Sequence, residues 1–388
     1  MFFLKSRPFK IIFFFLFTIS LISPGELPAQ IGIQLIKIRI LRDQPSLKFI
    51  FRGNYYLEDV KTGEKFKIKG KLKYVAKPDD GSIIFSGRSF DSGIRIVSLD
   101  KENIFEVNNK KYRGGVILKC SGNKLSAVNE LDLELYLYGV LPKEVIASWP
   151  KEALKSQAVI SRTYALKNMK HHSEEGFDLC DETHCQVYGG VGSENQRTNE
   201  AVDETKGEVL FYEGKLASTF FHDSCGGYTE NIENVWGTKA PEYLKGRPVK
   251  YANSYTQDFW KKKIRADILE DKLSASGFNI GEIKKIKISG KSRSGRAKDL
   301  KIYGTKKTFK INAAKFRFDV DPLLIRSTLF VSISKKGDYF EFSGLGWGHG
   351  VGLCQQSARN MAQRGYKYEK ILKYFYPGTY LASWDEQE

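Results

Sequence analysis

The chain has 388 residues, 41% hydrophobic and 28% charged, which suits a globular protein of two or three packed units. Its formal net charge is +17, and removing residues 1–29 would leave +15 because that segment holds three basic residues and one acidic residue. We find no Cys-x-x-Cys finger, RNA-binding sheet motif or basic helix, so nucleic acid is excluded as a partner; the charge favours other anionic polymers or serves only solubility.

The N-terminus has the layout of a secretory signal peptide. A basic start, an apolar run over residues 11–22 and a stretch containing two prolines lead to Ala29. We predict cleavage after Ala29 and an exported protein of the periplasm or cell wall. The alternative is an uncleaved anchor. Because the apolar run is short for a bilayer span, a membrane is expected as a partner only if residues 1–29 are retained.

Residues 30–130 are predicted to form a small β-sandwich or barrel. Apolar or alternating runs cover residues 31–40 and 47–51, and turn signals such as Asp79-Asp-Gly punctuate the short strands that follow. This unit carries no constellation of catalytic side chains.

Residues 131–388 are predicted as a core of helices and sheet with an α+β insertion at about 255–345, so the fold class is α+β. The clearest helix covers residues 152–167, with Ser148 as its N-cap and Pro150 in its first turn. Residues 171–200 are predicted as an ordered loop. Further helices are expected over residues 200–205, 266–276 and 357–364, and a hairpin over 208–212 and 216–222.

Five ordered blocks of sequence resemble the SpoIID/LytB domain family over roughly residues 110–380. The blocks are Tyr138-Gly-Val-Leu-Pro-Lys-Glu-Val; Glu152-Ala-Leu-Lys-Ser-Gln-Ala-Val with Arg162-Thr-Tyr-Ala; Asp181-Glu-Thr-His-Cys-Gln-Val-Tyr-Gly; Ser224-Cys-Gly-Gly-Tyr-Thr-Glu-Asn with Val235-Trp-Gly; and Gly346-Trp-Gly-His-Gly-Val-Gly-Leu-Cys-Gln with Tyr376-Pro-Gly-Thr.

The resemblance implies lytic transglycosylase cleavage of peptidoglycan, preferentially of glycan strands stripped of stem peptides. Other members are amidase enhancers, so it also implies a cell-wall amidase as an alternative partner. The family's catalytic glutamate lies in a Ser-Glu-Met-Pro stretch, and the matching position here is Glu144. Lys143 replaces the small residue before it, and Val145-Ile146 replaces Met-Pro.

A lytic transglycosylase can work with one glutamate, which first protonates the leaving oxygen and then takes the proton of the sugar's own 6-hydroxyl. Such a glutamate must start protonated, and an apolar wall that raises its pKa helps. Leu141, Val145, Ile146 and Trp149 are expected to supply that wall. Glu152 is the rival carboxylate, although a first-turn position favours its ionised form and a capping role.

Seven further residues are assigned to substrate binding. Lys155 and Arg162 lie two turns apart on one helix face, where they would bind acetamido or lactyl oxygens, unless Arg162 is a buried scaffold residue. The other five come from the matching blocks: Gln186, Tyr188, Tyr228, His349 and Gln355.

The resemblance implies that four cysteines and a histidine gather at one cleft, as zinc ligands or as disulfides: Cys180, His184, Cys185, Cys225 and Cys354. Disulfide pairs would be, for example, Cys180 with Cys225 or Cys185 with Cys354. Cys120 is expected to be buried and free. The predicted glycan cleavage requires no cofactor, and any zinc is expected to be structural. A non-catalytic amidase enhancer and a zinc-dependent wall hydrolase remain as alternatives.

Overall fold

The computed structural model describes residues 34–68, 70, 72–239 and 241–387. The predicted signal peptide over residues 1–29 lies outside these described residues. Within them, no helix combines the length and apolar character needed to cross a bilayer.

The first third of the described chain is a pair of open sheets with a shared core. Alternation places Leu47, Phe49 and Phe51 of one strand inside while its other side chains point outward, and the rings of Phe51 and Tyr55 meet across the sheets at 5.1 Å. The strands are β1 (Leu35–Gln44), β2 (Leu47–Arg52), β3 (Tyr55–Asp59), β4 (Lys65–Ile68), β5 (Lys73–Asp79), β6 (Ser82–Phe85), β7 (Arg88–Phe90), β8 (Ile94–Ser98), β9 (Ile104–Val107), β10 (Lys110–Arg113), β11 (Gly115–Ser121) and β12 (Lys124–Asp132).

These strands form a seven-stranded and a six-stranded sheet. With β13 (Leu179–Cys180) added at one edge, the first has the order β13-β1-β12-β11-β8-β3-β4, and the second has the order β10-β9-β2-β5-β6-β7. Neither sheet closes into a barrel within the described part of the chain. Of the two forms expected for this unit, a β-sandwich or a barrel, the structure is therefore a β-sandwich.

A helical layer follows and shares its hydrophobic core with both sheets. Its elements are α1 (Leu133–Glu144), α2 (Lys151–Lys167), α3 (Gln196–Asp203), β14 (Glu208–Tyr212), β15 (Lys215–Leu216), β16 (Phe221–His222) and α4 (Ile232–Trp236), with short 3-10 helices at Ser173–Glu175, Gly190–Ser193 and Glu242–Leu244.

Residues from about 255 to 345 build a hydrophobic core of their own around Trp260, Leu300 and Phe316. The elements are α5 (Tyr255–Asp258), β17 (Phe259–Arg265), α6 (Ala266–Ala275), β18 (Ile283–Lys291), β19 (Ala297–Gly304), β20 (Thr308–Asn312), α7 (Ala313–Val320), β21 (Phe330–Lys336) and β22 (Tyr339–Leu345). The strands form two three-stranded sheets, with the orders β17-β22-β21 and β18-β19-β20.

The chain then returns to the first core. Its last elements are β23 (Leu353–Cys354), α8 (Gln355–Gln363), α9 (Tyr368–Phe375), β24 (Tyr380–Ser383) and a 3-10 helix at Trp384–Gln387. Strand β23 pairs in parallel with β16, which brings the last sequence block beside the segment around residue 222.

The mixture of helices and sheets confirms the α+β class. The bounds of three predicted elements differ from those in the structure. Pro150, not Ser148, occupies the N-cap of α2, and no side chain caps that end. The hairpin expected to end at residue 222 stops at Leu216, because Phe221 and His222 pair with β23 instead. The helix expected over residues 200–205 begins earlier, at Gln196, where Asn195 caps it.

Candidate functional site

Glu144 is the last residue of α1, a helix defined at both ends by local chemistry. Asp132 caps the first turn by accepting the N–H of Glu134 at 2.7 Å. At the other end Pro142 has no N–H to continue the hydrogen-bond ladder, and Val145 adopts an extended conformation with φ −137°. The helix therefore stops at Glu144 and presents this carboxyl group at its C-terminus.

Glu144 lines a cavity of about 410 Å³. Burial raises the pKa of Glu144 from 4.5 to about 7, although a hydrogen bond from the backbone N–H of Val187 works in the opposite direction. A large fraction of Glu144 is therefore protonated at neutral pH. The cavity is lined by Pro142, Lys143, Glu144, Val145, Ile146, Ala147, Trp149, Asp223 and Gln356.

Three of the four expected wall residues line this cavity. Val145 and Trp149 are buried and Ile146 is 61% exposed, so apolar surface borders the carboxyl group from the helix end onward. Leu141 is fully buried in the core and is not among the described lining residues.

The raised pKa predicts that Glu144 costs stability at high pH. The folded state binds the proton more tightly than the unfolded chain, so this favourable contribution is complete below pH 4.5 and is lost as pH rises through about 7. Above pH 8 the Glu144→Gln variant should be more stable than the wild type by about 3 kcal/mol, since a shift from 4.5 to about 7 corresponds to that energy. Urea unfolding at pH 4.5 and pH 8 measures the difference, and an unchanged difference between the two pH values would refute the shift.

A buried chain of amide side chains holds the end of α1. Gln355 Nε2 donates to the backbone carbonyl of Glu144 at 3.1 Å and lies 3.2 Å from Gln157 Oε1. Gln157 in turn donates to Ser161 Oγ, and Gln186 Nε2 donates to the Ser161 carbonyl at 3.4 Å. Gln186 and Gln355, predicted to bind substrate, are thus engaged in fixing α1 and α2 against α8 and the residue 180–189 loop.

Asp223 is a second carboxylate of the cavity, and the sequence analysis did not single it out. Burial raises its pKa, and Gln356 Nε2 donates to its Oδ1 at 3.1 Å. Its place in the sequence, between His222 and the block that begins at Ser224, could have marked it as a candidate site residue. The cavity therefore holds two carboxyl groups, with Glu144 on α1 and Asp223 following β16.

Arg162 is fully buried and serves the scaffold. Its guanidinium makes a two-pronged ion pair with Glu134 at 2.6 and 2.8 Å and donates to the carbonyls of Val202 and Glu208. These contacts agree with the alternative that Arg162 is a buried residue of the scaffold, and they leave its guanidinium no position from which to contact a ligand in the cavity. The Lys155 ammonium group also has partners within the protein, because its Nζ lies 3.8 Å from a Glu204 carboxylate oxygen and 4.3 Å from the centre of the Tyr368 ring.

Loss of the Arg162 guanidinium should destabilise the protein strongly, because Glu134 is only 12% exposed and would be left charged without its partner. We expect Arg162→Met to lower the free energy of unfolding by about 3–5 kcal/mol. Lys61→Met, which breaks the exposed pair with Asp91, is the matched control and should leave the free energy of unfolding nearly unchanged. If the two variants lowered the free energy of unfolding in urea by the same amount, the scaffold role of Arg162 would be contradicted and a ligand-binding role would be favoured.

The remaining predicted binding residues lie away from the described lining of the cavity. Tyr188 is buried, and its hydroxyl donates to Asn129 at 2.9 Å. The carbonyl of Tyr228 accepts a hydrogen bond from Arg296 at 2.7 Å. His349 packs on Trp236 with ring centroids 4.9 Å apart, and burial lowers its pKa to about 3, so it is neutral.

Glu152 caps a different helix from the one on which it lies. Its Oε2 accepts the backbone N–H of Tyr368 at 2.9 Å, at the first turn of α9, and its Oε1 lies 3.7 Å from Lys367 Nζ. By capping α9, Glu152 connects α2 to that helix. Glu152 is not among the described residues that line the cavity.

The predicted cysteine cluster is two separate groups in the structure, which corrects the single site expected at the cleft. His172, Cys180, His184 and Cys185 form one group; His222, Cys225 and Cys354 form the other. All five cysteines are free thiols, and the two example disulfides would each pair one group with the other. Cys120 is free as expected but half-buried, not buried, and its thiol donates to the Gly122 carbonyl.

The first group, the loop cluster, consists of His172, Cys180, His184 and Cys185. Its ligand atoms all lie within 4.8 Å of one another. Cys185 Sγ is 3.5 Å from both His172 Nε2 and His184 Nδ1, and Cys180 Sγ is 3.8 Å from His184 Nδ1. Tetrahedral zinc with its usual bond lengths requires a sulfur–nitrogen separation of about 3.6 Å. These four side chains therefore fit a zinc ion. His172 was not predicted, although it lies only eight residues before Cys180.

A larger cavity of about 440 Å³ lies in the β-sandwich, next to Phe66, Phe90 and Arg88. Its described lining contains no carboxylate, imidazole or thiol, the side chains that most often bind metal ions.

Comparison with known proteins gives two family matches. Residues 121–212 match SpoIID, the Stage II sporulation protein family, and residues 250–352 match a domain of unknown function, DUF8618. The second match covers the segment with its own core and the first seven residues of the glycine-rich block that follows it.

Three similar proteins cover much of the chain. An uncharacterized protein of Brachyspira hyodysenteriae is 35% identical over 290 residues, covering 74% of this chain and 77% of that protein. The amidase enhancer of Bacillus subtilis is 32% identical over 292 residues, covering 64% of this chain but only 40% of that protein. Stage II sporulation protein D of Bacillus subtilis is 28% identical over 287 residues, covering 67% and 77%. The chain therefore belongs to the SpoIID family.

Proposed function

We propose that this protein is a peptidoglycan lytic transglycosylase that cleaves the MurNAc–GlcNAc bond with Glu144 as general acid and then base. The observation that carries the proposal is a carboxyl group at a cavity, buried enough that its pKa rises to about 7. Membership of the SpoIID family supports a role in the cell wall. The net charge of +17 suits an anionic wall polymer.

The reaction divides into two proton transfers at one residue. Protonated Glu144 donates to the glycosidic oxygen, the bond from that oxygen to the anomeric carbon breaks, and the substrate's acetamido group stabilises the cation. The 6-hydroxyl of the same sugar then attacks the anomeric carbon while the Glu144 carboxylate removes its proton. The product is a 1,6-anhydro sugar, no water is consumed, and Glu144 returns to its protonated state.

The backbone around Glu144 keeps the carboxyl group in place for both steps. The hydrogen bond from Gln355 to the Glu144 carbonyl fixes the helix end, and the Val187 N–H contacts the carboxylate form. Asp223 would stabilise the positive charge at the anomeric carbon. If instead Asp223 activated a water molecule, the reaction would be hydrolysis with two carboxylates.

Mass spectrometry of the products tests the proposal. Purified protein with denuded glycan strands should yield 1,6-anhydro ends. Reducing ends without anhydro ends would contradict the transglycosylase mechanism and point to hydrolysis involving Asp223. Binding without any product would favour a second candidate, a non-catalytic partner of a wall amidase, which the similarity to the amidase enhancer supports.

We also propose that the loop cluster binds structural zinc. Its four ligands complete a tetrahedral shell and leave no position for a reacting water, which disfavours a zinc-dependent hydrolase. Glu175 accepts a hydrogen bond from His172 Nδ1 at 2.6 Å, which leaves Nε2 for the metal. Cys185 lies two residues before Val187, so zinc would fix the segment whose N–H contacts Glu144.

A further inference from the structure

The second group of soft ligands, formed by His222, Cys225 and Cys354, is buried, and its residues adjoin Asp223 and Gln355 in the chain. A ring nitrogen of His222 and the two Sγ atoms lie within 4.8 Å of one another. All three residues are at most 4% exposed. The parallel pairing of β16 with β23 brings them together, since His222 lies opposite Cys354 in that register.

One ring nitrogen of this histidine is available to a metal ion. Its Nδ1 lies 3.1 Å from the carbonyl of Val351 and donates to it, which assigns the ring proton to Nδ1 and the lone pair to Nε2. That Nε2 is buried and has no hydrogen-bond partner in the described part of the chain. A buried ring nitrogen without a partner is costly, and a cation would satisfy it. Burial also lowers the pKa of His222 well below 6.5, so the ring is neutral.

Positive charge from the segment with its own core is placed beside the two thiols. Arg296 is buried, its Nη2 donates to the carbonyl of Cys225 at 2.8 Å, and its charge acts on both Cys225 and Cys354. This guanidinium offsets part of the charge of two thiolates. Gly350, with φ +86°, makes the close approach possible, because a Cβ there would lie 2.6 Å from Arg296 Cζ.

We infer that His222, Cys225 and Cys354 form a second, buried site for a soft d10 metal ion. Two thiolates and one imidazole select Cu⁺ or Zn²⁺ over hard cations. Three ligands suffice for Cu⁺. Zn²⁺ takes a fourth, and the Ser357 hydroxyl, 3.0 Å from Cys354 Sγ, is a donor within reach.

The bound ion would act on the cavity through its walls. Asp223 lies between His222 and Cys225, and Cys354 directly precedes the Gln355 that holds Glu144. The site therefore joins the two strands that carry these groups. Its existence does not depend on the proposed glycan cleavage, because metal content is measured without any substrate.

Metal content of the reduced, full-length protein tests the inference. After anaerobic loading with Zn²⁺ and gel filtration, further loading with Cu⁺ distinguishes the two ions. The wild type and the control Cys120→Ser should each retain one more ion per chain than Cys354→Ser and Cys225→Ser. X-ray absorption of the loaded wild type should show two sulfur ligands and one imidazole at the added ion, a readout that needs no variant.

Two results would overturn the inference. One is equal metal content in Cys354→Ser and the wild type, with both proteins folded by circular dichroism. The other is a Cys225–Cys354 disulfide in the isolated protein whose reduced form takes up neither ion beyond the loop cluster. If Cys354→Ser does not fold, the absorption spectrum of the wild type decides, and an added ion with no imidazole ligand would equally refute the site.

Discussion

Glu144→Gln is expected to lower the rate of anhydro-product formation by about 10²- to 10⁴-fold, the range that a positioned general acid and base contributes. Glutamine keeps the size of the side chain and can still accept the Val187 N–H, but it cannot donate a proton to the glycosidic oxygen. Because burial and not a charged partner raises the pKa of Glu144, the neutral amide should fit the site without strain. Binding to denuded strands should therefore persist while turnover is lost.

One control variant and one cavity variant accompany this test. Glu152→Gln alters the carboxylate that caps α9 and should retain most of the activity. Asp223→Asn should lower the rate without changing the product from anhydro to reducing ends. A Glu144→Gln protein that forms anhydro ends at the wild-type rate would exclude Glu144 as the acid.

Loss of zinc from the loop cluster is expected to destabilise the protein. At free zinc 1,000-fold above the dissociation constant, binding contributes about 4 kcal/mol to folding. We expect Cys185→Ser to remove one zinc ion per chain and to lower the melting temperature. Wild-type protein treated with a chelator should behave in the same way and should recover when zinc is restored.

His171→Ala is the matched control for this experiment. The His171 ring lies 4.8 Å from that of His172, yet His171 is not a member of the cluster. This variant should keep both the zinc and the melting temperature. Indistinguishable zinc content and melting temperature in Cys185→Ser and His171→Ala would contradict a zinc site at the loop cluster.

Some features of the site could be predicted from local sequence alone. The α2 helix lies within one residue of its expected start because small and helix-forming residues recur over residues 152–167. The apolar residues after Glu144 indicated a desolvated carboxyl group, and burial does raise its pKa. Both features depend on residues adjacent in the chain.

Other features depend on which distant segments meet, and the sequence could not supply that. The helix that ends at Glu144 was not predicted, and it contains Pro142, which has no N–H for the hydrogen-bond ladder of its last turn. The cysteines divide into two groups because β13 pairs with β1 whereas β16 pairs with β23. The Arg162 side chain is buried because it pairs with the carboxylate of Glu134, which lies 28 residues earlier in the chain.

The protonation state of Glu144 is the most direct test of the account. A carbon-13 NMR titration of glutamate carboxyl groups, assigned by comparison with Glu144→Gln, measures it in the free protein. We expect the Glu144 signal to titrate with a midpoint of about 7. A midpoint near the ordinary value of 4.5 would leave Glu144 ionised at neutral pH and would contradict its role as the acid.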